Sequence, residues 1–195
     1  MHGDLNSRRA ATTLVLGGVR SGKSRHAAQI ATASGCAVTV IATGTAQDRE
    51  MAERIALHRA HRPKEWNLVE EPVRLADALS AACAPSGIVI VDCLTLWLTN
   101  LMCGEDPDAL RRESTRLLEL LPRLPGDCVL VSNEVGYGII PANALARRFA
   151  DEAGELHQQL GALCDQVILM AAGLPLTIKA PDRAPAETSS PRRGS

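Results

Sequence analysis

The chain has 195 residues, a length that suits one domain with a properly buried core. Hydrophobic residues make up 46% and aromatics only 2%, so Leu, Val, Ile and Ala must build the interior. The 21 basic and 22 acidic side chains leave a formal net charge of -1, which gives no basis for general binding to nucleic acid or to a membrane surface.

In chain order, residues 1–12 read as a disordered leader that lacks the apolar stretch of a signal peptide. "TLVLG" (13–17) is a buried strand running into glycines. "KSRHAAQIATAS" (23–34) is a helix, with Gly35 as its cap. "AVTVIA" (37–42) is a second strand. "AQDREMAERIALHRAH" (46–61) has a strong helical pattern that Pro63 would end. "EWNLVEE" reads as a short strand, "RLADALSAAC" (74–83) as a helix and "GIVIVD" (87–92) as a buried strand. "LTLWLTNLM" (94–102) and "PDALRRESTRLLELLPRL" (107–124) are helices, the second amphipathic. "DCVLVS" (127–132) is another strand, followed by a long helix over 143–164. The segment 166–180 reads as a strand, a Gly-Leu-Pro turn and a last strand. The tail, 181–195, is rich in Pro, Ser and charge and cannot build a core.

Strands alternating with helices imply right-handed crossovers and a mostly parallel sheet with helices on both faces. The expectation is a single P-loop, RecA-like α/β domain over 13–180, with the last two strands as an antiparallel edge hairpin. Ligands of such sheets collect at the carboxyl ends of the strands. No run approaches the ~18 apolar residues of a membrane span. The six cysteines form neither a C-x-x-C pair nor a zinc-spaced cluster, which fits reduced thiols in a cytoplasmic protein.

The chemistry begins at "GGVRSGKS". Gly17, four intervening residues, then Gly22, Lys23 and Ser24 fit the P-loop pattern. Backbone N–H groups of Gly17, Gly18, Val19, Arg20, Ser21 and Gly22 can turn inward on phosphate oxygens at a helix N-terminus. Lys23 can reach the β- and γ-phosphates, and the Ser24 hydroxyl can ligate Mg²⁺. Asp92 closes a buried strand, where it can serve Mg²⁺ or cap the next helix. Guanine-specific switch proteins carry Asn-Lys-x-Asp, which is absent here. Small-molecule kinases and nucleotidyl transferases remain.

In "RIALHRAHRP" (54–63), helical spacing puts His58 on the inward face with Met51 and Ile55, and Arg54 and Arg62 one turn to either side. Two readings stay open. His58 is a core imidazole bonded to backbone, or the cations hold a polyphosphate and keep His58 neutral, ready to attack phosphorus. Glu134 of "NEVG" follows a strand at the active end of the sheet. It could orient a hydroxyl, bind metal, or simply hold a turn.

The chain resembles the bifunctional adenosylcobinamide kinase/adenosylcobinamide-phosphate guanylyltransferase family of cobalamin biosynthesis. The resemblance covers roughly 13–180 and is carried by "GGVRSGKSRHA", "IATG", "MAERIALHRAHRP…W", "VDCLTLWLTN", "VSNEVGYGIIPANALARRF" and "GLPLTIK". It implies phosphorylation of adenosylcobinamide with ATP or GTP, then transfer of GMP from GTP to the adenosylcobinamide phosphate. The product is adenosylcobinamide-GDP. It makes His58 the residue that carries the guanylyl group. It implies nucleotide contacts from Gly17 to Ser24, from Ala42, Thr43 and Gly44, from Arg59, Ala60, His61 and Arg62, and from Glu70 and Asp92. It also implies a homotrimer with sites near subunit contacts. A plain kinase with a structural His58 is the alternative.

Overall fold

A computed structural model describes residues 10–45, 49, 53 and 62–181. Seven strands form one sheet: β1 (Thr12–Gly17), β2 (Ala37–Ala42), β3 (Asn67–Glu70), β4 (Gly87–Asp92), β5 (Asp127–Val131), β6 (Gln166–Ala171) and β7 (Leu174–Lys179). Five helices are described in full: α1 (Lys23–Ser34), α2 (Leu75–Ala82), α3 (Leu94–Cys103), α4 (Ala109–Leu120) and α5 (Ala144–Leu163). The strand order is β3-β2-β4-β5-β1-β6-β7, parallel throughout except for the β6–β7 edge. This is the fold class the alternating pattern implies. The helix expected over 46–61, with His58, Arg59, Ala60 and His61, lies outside the described residues except for Arg49 and Glu53. Those two are helical and form an i,i+4 ion pair at 3.0 Å.

Strand periodicity divides the core into two layers. Leu14, Leu16, Val89, Val91, Cys128 and Leu130 face α2 to α5 and pack with Leu79, Trp97, Leu117 and Leu160. Val15, Ile88, Ile90, Val129 and Val131 face the other way, where Ala27 and Ala31 let α1 lie close. Helix α3 buries Leu94, Thr95, Trp97, Leu98 and Leu101, so its near-continuous apolar sequence reflects an interior position. Glu113, on the core side of α4, is buried but joined by Arg112 and Arg116, and Arg116 bridges onward to Asp77 of α2.

Three element readings need correction. The amphipathic pattern of 107–124 ends as α-helix at Leu120, because Pro122 has no N–H to donate and collides with the preceding turn; a single 3₁₀ turn, Leu121–Arg123, completes it. The last turn is Ala172-Gly173 rather than Gly-Leu-Pro. Both residues have positive φ, 51° and 83°, as a two-residue hairpin turn requires. Pro175 lies inside β7, tolerated because that strand is at the edge. Finally, β1 begins at Thr12, within the stretch read as leader. The Ala11 amide donates to Asp127 Oδ1, and Thr12 donates to Asp165 Oδ2 from both its amide and its hydroxyl, each at 2.8 Å.

Candidate active site

The parallel register brings six strand ends to one edge. Ala42 is level with Glu70 on one side and Asp92 on the other, and Asp92 is level with Val131. Neighbouring strands stand about 4.8 Å apart, so Glu70 and Asp92 flank β2 at about 10 Å from each other. The loop from Gly18 to Gly22 rises from the end of β1 into α1 at the same edge.

The phosphate loop is built by steric exclusion. Gly17 has φ 149°, and a Cβ there would stand 2.6 Å from both the Met170 carbonyl and Ser21 Oγ. Gly22 has φ 100° and Arg20 φ 56°, the left-handed conformations that curl the chain back. Ser21 N–H donates to the Gly18 carbonyl, and Gly173 N–H donates to the Ser21 carbonyl, which fastens the loop to the β6–β7 turn. Ser21 Oγ is buried with no partner, an unsatisfied polar atom inside a loop of phosphate-binding shape.

Lys23 is buried, and its Nζ donates to the Gly18 carbonyl at 2.6 Å. Burial pushes its pKa below the ordinary lysine value, and Asp92 nearby opposes that shift. An ammonium folded over its own loop is held where a phosphate oxygen would replace the carbonyl as acceptor. Ser24 Oγ stands 3.5 Å from Asp92 Oδ1, and the Arg62 guanidinium stands 3.9 Å from Asp92 Oδ2. Asp92 therefore lies between the first turn of α1 and the chain that leaves the segment containing His58. A hydroxyl beside a carboxylate is a hard oxygen donor set, the kind that suits Mg²⁺. Among the described residues no three His, Cys, Asp or Glu side chains gather as a metal cluster. An ion at Ser24 and Asp92 would thus complete its shell with water and nucleotide phosphates, the usual habit of Mg²⁺.

Thr43, from which a nucleotide contact is expected, is tied into the scaffold. It is fully buried, its Oγ1 donates to the Cys93 carbonyl at 2.7 Å and accepts from the Cys93 amide at 3.0 Å. Its own amide donates to the Asp92 carbonyl, and its carbonyl accepts from Asn100 Nδ2. With every polar group engaged, Thr43 clasps the ends of β2 and β4 together. Ala42, Gly44 and Thr45 are the parts of that segment with surface to offer. Asn100 Nδ2 also donates to the Pro72 carbonyl, and Trp97 Nε1 to the Val73 carbonyl, so α3 sets the turn that follows Glu70.

At the end of β5, Glu134 N–H donates to the Gly17 carbonyl at 3.0 Å, and Glu134 Oε1 accepts from Gly136 N–H at 2.6 Å. Asn133 Nδ2 donates to Thr95 Oγ1 at 2.7 Å, and Thr95 Oγ1 is 3.0 Å from Cys93 Sγ. Sequence reasoning singled out Glu134 but missed Asn133, Thr95 and the buried His157 behind them. The available signal was a histidine on the apolar stripe of a long helix, paired with polar "SNE" where a buried strand ends.

These features define a P-loop nucleotide-binding α/β protein. Its chain matches the sequence model of a family described as cobinamide kinase / cobinamide phosphate guanyltransferase over residues 13–178. It is 51% identical over 166 residues to the bifunctional adenosylcobalamin biosynthesis protein CobP of Pseudomonas aeruginosa, covering 85% of this chain and 96% of that one. It is 41% identical over 179 residues to the bifunctional adenosylcobalamin biosynthesis protein CobU of Escherichia coli K12, covering 85% and 98%. A solved structure from Pyrococcus horikoshii OT3, 10% identical, superposes with a TM-score of 0.54 over 89% of each chain, a likeness of fold alone. The chain belongs to the cobinamide kinase/cobinamide phosphate guanylyltransferase family of adenosylcobalamin biosynthesis.

Proposed function

We propose that the chain performs both family reactions at the carboxyl edge of its sheet, the second through a guanylyl group carried on His58. The observation that supports this most is the near-full-length family match joined to a formed phosphate loop whose Ser24 faces Asp92. In the first reaction the cobinamide hydroxyl oxygen bonds to the γ-phosphorus of ATP or GTP as the bridging P–O bond breaks. The nucleoside diphosphate leaves, and the hydroxyl proton passes to a nearby carboxylate, for which Glu134 is the candidate. Lys23 and the N–H groups from Gly17 to Gly22 stabilise the charge that spreads over the phosphoryl oxygens. Ser24 and Asp92 would hold Mg²⁺, which supplies further charge neutralisation when bound.

In the second reaction a neutral ring nitrogen of His58 attacks the α-phosphorus of GTP and pyrophosphate leaves. The phosphate of adenosylcobinamide phosphate then attacks the same phosphorus, the N–P bond breaks, and adenosylcobinamide-GDP forms. Glu70 suits guanine, because one carboxylate can accept from N1–H and the exocyclic amine together. Ala42 and Gly44 line the adjoining strand end, and Arg59, Ala60, His61 and Arg62 follow the nucleophile in the chain. Function in the cytoplasm fits free thiols throughout and the absence, among the described residues, of a helix long and apolar enough to cross a membrane.

Assembly as a homotrimer accords with where the described surface is apolar. Tyr137, Ile139, Ile140 and Leu145 are exposed around the start of α5, and Leu174, Leu176 and Ile178 are exposed at alternate positions of the edge strand β7.

The deciding experiment is incubation with α-labelled GTP, with peptide mapping of the acid-labile, alkali-stable adduct. The label is expected on His58. His58→Ala is expected to abolish labelling and GMP transfer while hydroxyl phosphorylation survives. A label on another side chain, or equal loss of both activities, would refute the covalent route.

A further inference from the structure

Helix α5 turns one face to the core, and that face reads Ala153, Leu156, His157, Leu160 and, just past the helix, Cys164, all buried. Four of these are apolar. A buried imidazole in such a stripe carries a desolvation cost unless it is bonded, and a Leu would pack there without that cost. Here it is bonded. His157 Nε2 stands 2.7 Å from Ser132 Oγ, and Nδ1 stands 3.9 Å from Glu134 Oε2. The second distance is too long for a hydrogen bond, and brings the ring edge up against the carboxylate.

Both partners lie just past the end of β5, the strand beside β1 and its phosphate loop. Ser132 N–H donates to the Val15 carbonyl of β1, and Glu134 N–H donates to the Gly17 carbonyl. Glu134 Oε1 is taken by Gly136 N–H, which leaves Oε2 as the oxygen on the His157 side. A neutral imidazole that accepts the Ser132 hydroxyl proton at Nε2 carries its own proton on Nδ1 and turns that N–H dipole towards the Glu134 carboxylate. Burial lowers the His157 pKa, with Glu134 opposing, in keeping with that neutral form.

We propose that His157 is a positioning residue for the phosphoryl-transfer half of the reaction, acting through Glu134 and Ser132 to fix the carboxylate beside the phosphate loop. The proposal rests on the functional reading above, in which Glu134 receives the hydroxyl proton. His157 itself touches no reacting atom. Its effect is on where one carboxylate oxygen points, and misplacement of such a group by an ångström is enough to slow a reaction substantially.

The test uses the full-length protein, with phosphorylation of cobinamide and labelling by α-labelled GTP measured separately. His157→Leu restores packing volume but removes both polar contacts. Paired with Ser132→Ala, it leaves no orphaned hydroxyl. Both variants are expected to keep a cooperative thermal transition, to lower kcat for phosphorylation about tenfold, and to leave KM for nucleotide within about twofold. Labelling should be unchanged. Introduced into Glu134→Gln, which itself costs about 10²-fold, the same substitution should cost nothing further. His157→Asn, which keeps an amide donor, should recover part of the loss, and it also serves if the Leu variants do not fold.

Normal phosphorylation by the variants, an undiminished effect in the Glu134→Gln background, or parallel loss of labelling would each overturn the proposal. Failure of the unsubstituted protein to phosphorylate cobinamide would instead overturn the functional reading on which it rests.

Discussion

The two edges of the sheet use the same residue type in opposite ways. At the amino edge, Asp127 accepts from the Ala11 amide, and Asp165 accepts from the amide and hydroxyl of Thr12. These carboxylates tie the start of β1 to its neighbours, β5 on one side and the α5–β6 junction on the other. At the carboxyl edge, Asp92 faces the Ser24 hydroxyl and the Arg62 guanidinium, and Glu134 faces a histidine. The amino-edge groups satisfy backbone that β1 would otherwise leave bare. The carboxyl-edge groups instead face side chains: a hydroxyl, a guanidinium and an imidazole. The parallel part of the sheet enforces the division, because strands β1 to β6 all end, and the crossover loops between them begin, on the same side.

The largest expected consequence of this contrast lies at Lys23. Lys23→Ala should lower kcat for phosphorylation by about 10²- to 10³-fold, the scale for removing one preorganised donor to a developing charge. The thermal midpoint should change little or rise, since a buried ammonium is removed from beside Asp92. Steady-state kinetics with calorimetry would check both, and a variant within about threefold of the parent would break the comparison at its active side.

Next comes the amino edge. Asp165→Ala strips two donors of their acceptor and should cost roughly 1–3 kcal/mol of stability. For a chain of this size that is a fall of a few degrees in Tm, about 2–4 °C per kcal/mol. Activity per folded molecule should be unchanged below the transition, measured by urea unfolding alongside turnover. Loss of turnover without loss of stability would show that the two edges are not separate in function.

The smallest effect is on pH dependence. His157 has a folded-state pKa below its ordinary 6.5, so on acidification the unfolded chain takes up its proton first. Stability from this group is therefore complete above about 6.5 and declines as pH falls from there towards the folded-state value. The Tm difference between neutral and mildly acidic buffer should be larger for the parent than for His157→Asn. Identical pH profiles for the two proteins would count against a buried, neutral His157.

Most of the architecture was legible because its signals are local. Buried strands such as "GIVIVD" and "DCVLVS" are short apolar runs between turn residues; the first was observed at the bounds the pattern put on it, and the second ends one residue earlier, at Val131. The misreadings were also local but turned on single residues. Pro122 ended α4 early, and the Ala172-Gly173 turn admitted a non-glycine residue at positive φ, which composition alone does not suggest. At the site, the phosphate loop and Asp92 could be named from strand-end position. Thr43 could not be assigned, since its engagement with Cys93, 50 residues away, is invisible to any window along the chain.

By itself the sequence determined the order of strands and helices, the phosphate loop and the family, because each rests on spacing within a few tens of residues. Tertiary structure alone decided that Asp127 and Asp165 serve the scaffold by holding the start of β1. It also decided that a histidine on α5 stands behind Glu134. Those outcomes depend on which strands become neighbours, and adjacency in a sheet is settled by the packing of its two faces, not by distance along the chain.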